Sequence, residues 1–130
     1  MRRSMPEGVS PELIAQACEN PYGELAWRYP AVLDVVAAMV AHGYAVLGGD
    51  VMYADEDEPL DYFHGEMYCG NWYRDWKQPE ESWADYIAAC VAVTRRYIDA
   101  YVQRNGDAYW FVPTSTHEQG YQALLSRHKA

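Results

Sequence analysis

Basic residues are scarce in this chain. Ten lysines and arginines stand against nineteen aspartates and glutamates, a net charge of −9. A surface of that sign repels phosphate, which argues against nucleic acid as a direct ligand. Cysteine is scarcer: Cys18, Cys69 and Cys90 are far apart, odd in number and without a C-x-x-C pair. They give neither a disulfide framework nor a zinc ribbon, so a reducing, cytoplasmic setting is expected. No run of about 18 apolar residues occurs, so no membrane span is expected. No apolar segment follows Arg2 and Arg3, so the N-terminus does not read as a secretory signal. Phosphate-cradling loops are missing too, with neither G-x-G-x-x-G nor a P-loop.

What is present is a chain able to fold. Half of its 130 residues are hydrophobic, enough for one domain with a core of its own. We take residues 1–130 as that domain, with 1–9 flexible. The organising stretch is Tyr44–Ala54, YAVLGGDVMYA. It starts as a buried-strand run, meets Gly48-Gly49-Asp50, and resumes as Val51-Met52-Tyr53. Paired glycines inside a strand mark a bulge, a bend or a close approach by another backbone. A positive φ or a bulge is therefore expected at Gly48 or Gly49, with Asp50 held at a defined place beside it.

Around that stretch the pattern is mostly helical. Ser10-Pro11-Glu12 reads as an N-cap, N1 and first turn of a helix that fades by Asn20-Pro21. Pro30 opens a second helix, from Ala31 to about His42, with Gly43 placed as its C′ residue. Pro79, followed by Glu80 and Glu81, starts the longest helix, which runs to about Arg104. Its inner face carries Trp83, Ile87, Cys90, Thr94, Tyr97 and Tyr101. Ala108–Val112 reads as a short strand stopped by Pro113, and Ser115 or Thr116 as the cap of a last helix, about 117–127. Between Leu60 and Trp76 the pattern permits one more strand, hairpinned to the first, followed by Asn71–Trp76 as an aromatic loop. The sum is an α+β fold: a small, mostly antiparallel sheet of about three strands packed against helices.

The charge is not spread evenly. Between Asp50 and Asp85 there are eleven acids and two bases, Arg74 and Lys77, interleaved with large aromatics. Acids of this density suit a basic partner and fast, electrostatically steered association. Their bland alternative is a solvated face that confers solubility. Trp72, Tyr73 and Trp76 beside these acids have the composition of an interface hot spot; their alternative is packing under a loop, to which Trp72 is the best suited.

Catalytic constellations are thin. His64-x-Glu66 resembles part of a zinc deaminase signature, but the P-C-x-x-C that completes such a metal site is absent. Gly48-Gly49-Asp50 lacks the acid and Phe that follow in cyclic-dinucleotide synthases. No metal and no cofactor are expected. An enzyme reading rests on Asp50, His64 and Glu66 as a small hydrolase site, and requires those three to converge in a pocket. A structural homodimer, using exposed aromatics, is a third reading.

Taken together, VLGGDVMY, Tyr68-Cys69-Gly70-Asn71-Trp72-Tyr73, Glu81-Ser82-Trp83, Tyr97-Ile98 and Tyr109-Trp110-Phe111-Val112 resemble the immunity protein 40 family of bacterial polymorphic toxin systems, over about residues 30–112. The resemblance implies a cytosolic, non-enzymatic antidote that binds and blocks a cognate toxin domain. On the residues above, Asp50, Asp55, Glu56, Asp57, Glu58 and Asp61 would steer or pair with basic toxin residues. Tyr62, Trp72, Tyr73 and Trp76 would supply apolar anchors.

Overall fold

The computed structural model describes residues 8–129; of the stretch expected to be flexible, 1–7 lie outside that range. In chain order the elements are α1 (Pro11–Ala15), β1 (Cys18–Glu19), β2 (Leu25–Arg28), α2 (Ala31–Ala41), β3 (Ala45–Met52), β4 (Phe63–His64), β5 (Met67–Tyr68), β6 (Asn71–Tyr73), α3 (Trp83–Asn105), β7 (Trp110–Thr116) and α4 (Glu118–Lys129). Five strands form one antiparallel sheet in the order β1-β2-β7-β3-β6, and β4 and β5 form a separate small hairpin. The fold is α+β as expected, with five strands in the main sheet where about three were anticipated.

α2 hands the chain to the central strand through a Schellman turn. Gly43, at φ +81°, donates its N–H to Val40, and the next amide, Tyr44, reaches back to Met39. β3 then runs between β7 and β6, and a register irregularity falls between Val46 and Gly48. Neither Gly48 nor Gly49 has positive φ. What demands glycine is close approach. A methyl group on Gly48 would meet the Trp72 carbonyl and lie 2.8 Å from Tyr73 Cα. One on Gly49 would strike the Trp72 ring and the Val112 carbonyl.

One face of the sheet carries the core. Trp27, Val46, Val51, Trp72 and Phe111 pack there with Val32, Val35, Val36 and Met39 of α2 and with Ile98 and Tyr101 of α3. Trp72 is its polar anchor, donating Nε1–H to Thr94 Oγ1 at 3.0 Å inside the core. A satellite cluster joins Ala45, Tyr86, Cys90 and Tyr121, which fixes α4 beside the start of α3.

Several local expectations need correction. α1 stops at Ala15, because Cys18 and Glu19 pair with β2. Asn71–Tyr73 is a strand, not a loop: it pairs with Gly48–Asp50, whose bare backbone lets it approach. β7 runs through Pro113 to Thr116. β2 pairs with it only at Trp110 and Phe111, so the amide that proline lacks has no ladder partner there to lose. α3 starts at Trp83 with Ser82 as N-cap, not at Pro79. The side chain at the start of α4 that accepts a backbone amide is His117, through Nδ1 from Gly120 N–H at 3.0 Å; Ser115 and Thr116 belong to β7.

Candidate functional site

Strand periodicity divides β3 between two environments. Val51 faces the helices, whereas Met52 faces the other side, where Ala26, Val112 and Leu60 bury it. Asp50, two residues before Met52, shares that second face. The face is roofed at one end by Leu60, with Tyr62 partly buried beside it. Buried Asn20 organises its edge. Its carbonyl oxygen accepts from the amides of Tyr22 and Glu24, both at 2.9 Å, and its amide donates to Glu24 Oε1 at 3.0 Å and to Met52 Sδ. This Asx-type turn sets Tyr22 and Glu24 on the same side as Asp50.

Asp50 is half-buried, opposite Asn71 on one neighbour strand and Val112 on the other. Burial, and then the nearby Glu24 charge, push its carboxyl pKa up. Among the described residues none donates a hydrogen bond to it. Raising the folded-state pKa means that ionisation opposes folding. The stability associated with this group is fully present below the unfolded-state carboxyl pKa and is lost as pH rises through the folded value. In its ionised form Asp50 is therefore a cost to the fold.

Aromatics surround this acid. Tyr62 lies close enough to Asp50, Glu24, Tyr22 and Tyr68 that, after burial, their charges raise its phenol pKa further. Tyr22 stacks on Tyr62 with centroids 5.8 Å apart. Tyr68 accepts a hydrogen bond from the Asn71 amide at 3.2 Å and meets Phe63 edge-on. Tyr73, the residue opposite Gly48, is 73% exposed. Tyr22, Phe63, Met67 and Tyr68 are each about half exposed or a little less. Exposed apolar area of this extent is a mark of an interaction site.

The other expected residues divide into three groups. Asp55, Glu56, Asp57 and Glu58 form an exposed turn beyond the end of β3, closed by the Glu58 amide on the Asp55 carbonyl and with Asp57 at φ +68°. Asp61 is exposed but turned to its own backbone, accepting from Phe63 N–H at 3.2 Å. Trp76 is 39% exposed and leans on α4, 4.7 Å from the His128 ring and 5.6 Å from Tyr121. It borders an apolar cleft of about 270 Å³ that also includes Leu47, Tyr73, Tyr86 and Tyr121, so Tyr73 links it to the Asp50 face. Trp72 leaves the set of surface anchors. It is 5% exposed, stacked on Tyr97 under α3, because the middle residue of this three-residue strand points into the core.

The two bases of the acidic stretch are both held internally. Arg74 pairs with Glu81 at 3.0 Å and lies over the Tyr86 ring. Lys77 Nζ donates to the Glu81 and Gln78 carbonyls at 2.8 and 3.2 Å. Their charges stabilise the 74–81 loop and, among the described residues, leave Asp50 and Glu24 of the open face without a basic neighbour.

Asp50, His64 and Glu66 do not form a triad. The His64 ring stacks on Tyr53 at 3.8 Å and its Nδ1 is 2.8 Å from the Tyr109 hydroxyl. Glu66 is exposed at the tip of the β4–β5 hairpin. Among the described residues no group of three or more His, Cys, Asp or Glu is placed to hold a metal ion. Burial raises the Cys69 thiol to about 11, which keeps it protonated and unreactive at neutral pH.

Glu24, Tyr22 and Tyr68 are part of this surface and were not picked out from the sequence. The available signal was the Asn20-Pro21-Tyr22-Gly23 turn ahead of the apolar Leu25-Ala26-Trp27, which together spell a turn and the strand β2.

A family model described as Immunity protein 40 matches residues 17–115, a span from β1 into β7 that includes Glu24, Asp50, Tyr62, Tyr68 and Tyr73. No curated protein and no solved structure matches the chain. No described helix is long and apolar enough to cross a membrane.

Proposed function

The chain belongs to the immunity protein 40 family, and from that premise we propose that it is a cytoplasmic antidote that neutralises a cognate toxin domain by binding it. The observation that carries the binding surface is the open sheet face, where exposed tyrosines surround Asp50 and Glu24 and, among the described residues, no basic side chain answers them. Tyrosine gives large contact area at low entropic cost and a hydroxyl for the polar rim, which suits it to interfaces. The acids fit a basic partner. The exposed turn Asp55–Glu58 and Asp61 lie along the same surface as steering charge, and Trp76 extends it toward α4.

Two copies of this chain are poorer partners for that face, since a symmetric pairing would set Asp50 and Glu24 against their own copies. A hydrolytic role is disfavoured because His64 is engaged by Tyr53 and Tyr109 rather than by Asp50 or Glu66.

The test uses the toxin domain encoded beside this chain. Calorimetry is expected to show one-to-one binding, and co-expression to restore growth. Tyr73→Ala is expected to weaken binding by roughly tenfold or more, the usual loss for an aromatic hot spot. Full protection without measurable binding, or binding untouched by substitutions across this face, overturns the reading.

A further inference from the structure

Between Asp50 and Tyr73 the open face is hollow. The depression holds about 280 Å³ over the backbone of Gly48 and Gly49, with Asp50, Asn71, Tyr73 and Thr114 around it. Carboxylate, amide carbonyl, phenol and hydroxyl oxygens all line it, and all accept hydrogen bonds. Among the described residues, no charged donor lines it. Arg74, next along β6, turns away to Glu81 and Tyr86.

Asp50 also has a feature that the other acids of the segment lack. Asp55, Glu56, Asp57 and Glu58 are exposed and well solvated, whereas Asp50 is partly desolvated beside Glu24 with no donor among the described residues. An asparagine has the same shape and would remove the unfavourable charge. A side chain that the fold would be better without, placed in a hollow edged by the exposed Tyr73, has the character of a residue that serves binding rather than stability.

We propose that this hollow receives one lysine or arginine side chain of the toxin domain, with Asp50 as its carboxylate partner and the Tyr73 ring against its aliphatic stem. The proposal rests on the antidote reading above and adds a single contact to it. A cation entering here meets the partly desolvated Asp50 carboxylate, with the Glu24 charge acting on the same group, and the Tyr73 ring, and its pairing with Asp50 is stronger there than in water.

The experiment compares the full chain with its Asp50→Asn, Tyr73→Ala and Glu80→Gln variants, the last an exposed acid outside the hollow. Urea unfolding of the free proteins is expected to give a higher midpoint for Asp50→Asn than for wild type. Calorimetry against the toxin domain is expected to show binding weakened roughly tenfold or more by Asp50→Asn, as when one partner of a buried charge pair is lost, and unchanged by Glu80→Gln. Lysines and arginines of the toxin domain are then changed singly to methionine. One of them is expected to weaken wild type strongly while adding nothing in the Asp50→Asn background, the signature of a direct pair. If wild type binds normally but Asp50→Asn binds equally well, or if its loss adds to that of every basic residue, the hollow is not the receptor and the antidote reading stands without it. If wild type does not bind the toxin domain at all, both fall together.

Discussion

Gly49 stands where a methyl group has no room, and Gly48 beside it is closer still to its neighbour strand. The paired glycines were the clearest single feature of the sequence, and they did mark the organising strand. The periodicity could say that something approached or bent there, but not which. The approaching group is β6, seventy-odd positions into the chain, and a contact of that kind is invisible to local pattern. The two positions are expected to differ in cost. Gly49→Ala meets the Trp72 ring and the Val112 carbonyl and should destabilise by roughly 1–3 kcal/mol, the range for overpacking a core. Gly48→Ala strikes the backbone of Trp72 and Tyr73, which moves only if the β3–β6 pairing loosens, so its loss should be the larger. Gly65→Ala is the control: φ is +65° with open space around it, so strain alone acts, roughly 1–2 kcal/mol. Urea midpoints of the three variants check the order. Trp72 was expected as a surface anchor, with packing under a loop as the alternative; the structure decides for packing, and its buried partner Thr94, twenty-two residues on, is not visible to local pattern. What composition could not say is that Tyr73, one residue on, is turned to solvent; that follows only once the segment is known to be a strand.

At the scale of elements, helices were read better than strands. α2 lies within a residue of its expected bounds, because helix spacing, a starting proline and a C′ glycine all agree. The start of α3 shows what happens when local signals compete. Pro79, Glu80 and Glu81 have the composition of a first turn, and Ser82 has that of a cap. Tertiary structure decides for Ser82, because Glu81 is needed elsewhere: its carboxylate takes Arg74 and the Gln78 amide, and its carbonyl takes Lys77. The Ser82 hydroxyl then accepts the Asp85 amide at 3.0 Å and its carbonyl the Tyr86 amide at 2.9 Å. Ser82→Ala is therefore expected to lower stability by about 1 kcal/mol. It should also speed hydrogen exchange at the amides of Asp85 and Tyr86. Pro79→Ala should leave exchange at those two amides unchanged; equal acceleration by both changes would place the helix start at Pro79 after all. The short strands β1, β2 and β6 were missed or misread because two to four residues carry too little alternation to register, and each exists through its pairing with a partner distant in sequence or through a turn such as that at Asn20.

For the whole molecule the decisive quantity is where its negative charge lies relative to its exposed aromatics. The acid excess between Asp50 and Asp85 was plain in the sequence. That its two bases are held by the 74–81 loop, and that Glu24 joins Asp50 from the turn before β2, needed the fold. The geometry separates two kinds of acid, and the separation has a kinetic consequence. Asp55, Glu56, Asp57 and Glu58 sit in an exposed turn at the rim, where a single charge contributes little to affinity but the sum attracts a basic partner from a distance. Replacing all four with Asn or Gln should slow association with the toxin domain and leave dissociation nearly as it was. The slowing should be large at low ionic strength and fade as added salt shortens the screening length, which is about 8 Å at physiological strength. Trp76 is the opposite case, a ring packed against α4 at the border of an apolar cleft. Trp76→Ala should leave association near wild type and raise the dissociation rate, with little dependence on salt, because most effects of truncating a contact residue fall on dissociation. Stopped-flow association and surface-resonance dissociation at two salt concentrations measure both rates. Wild-type association in the four-fold neutral variant, unaffected by salt, would mean that the turn is a solvated face only, and that the partner approaches the open sheet from the α4 side, where Trp76 and Tyr73 would then be the residues whose loss is felt first.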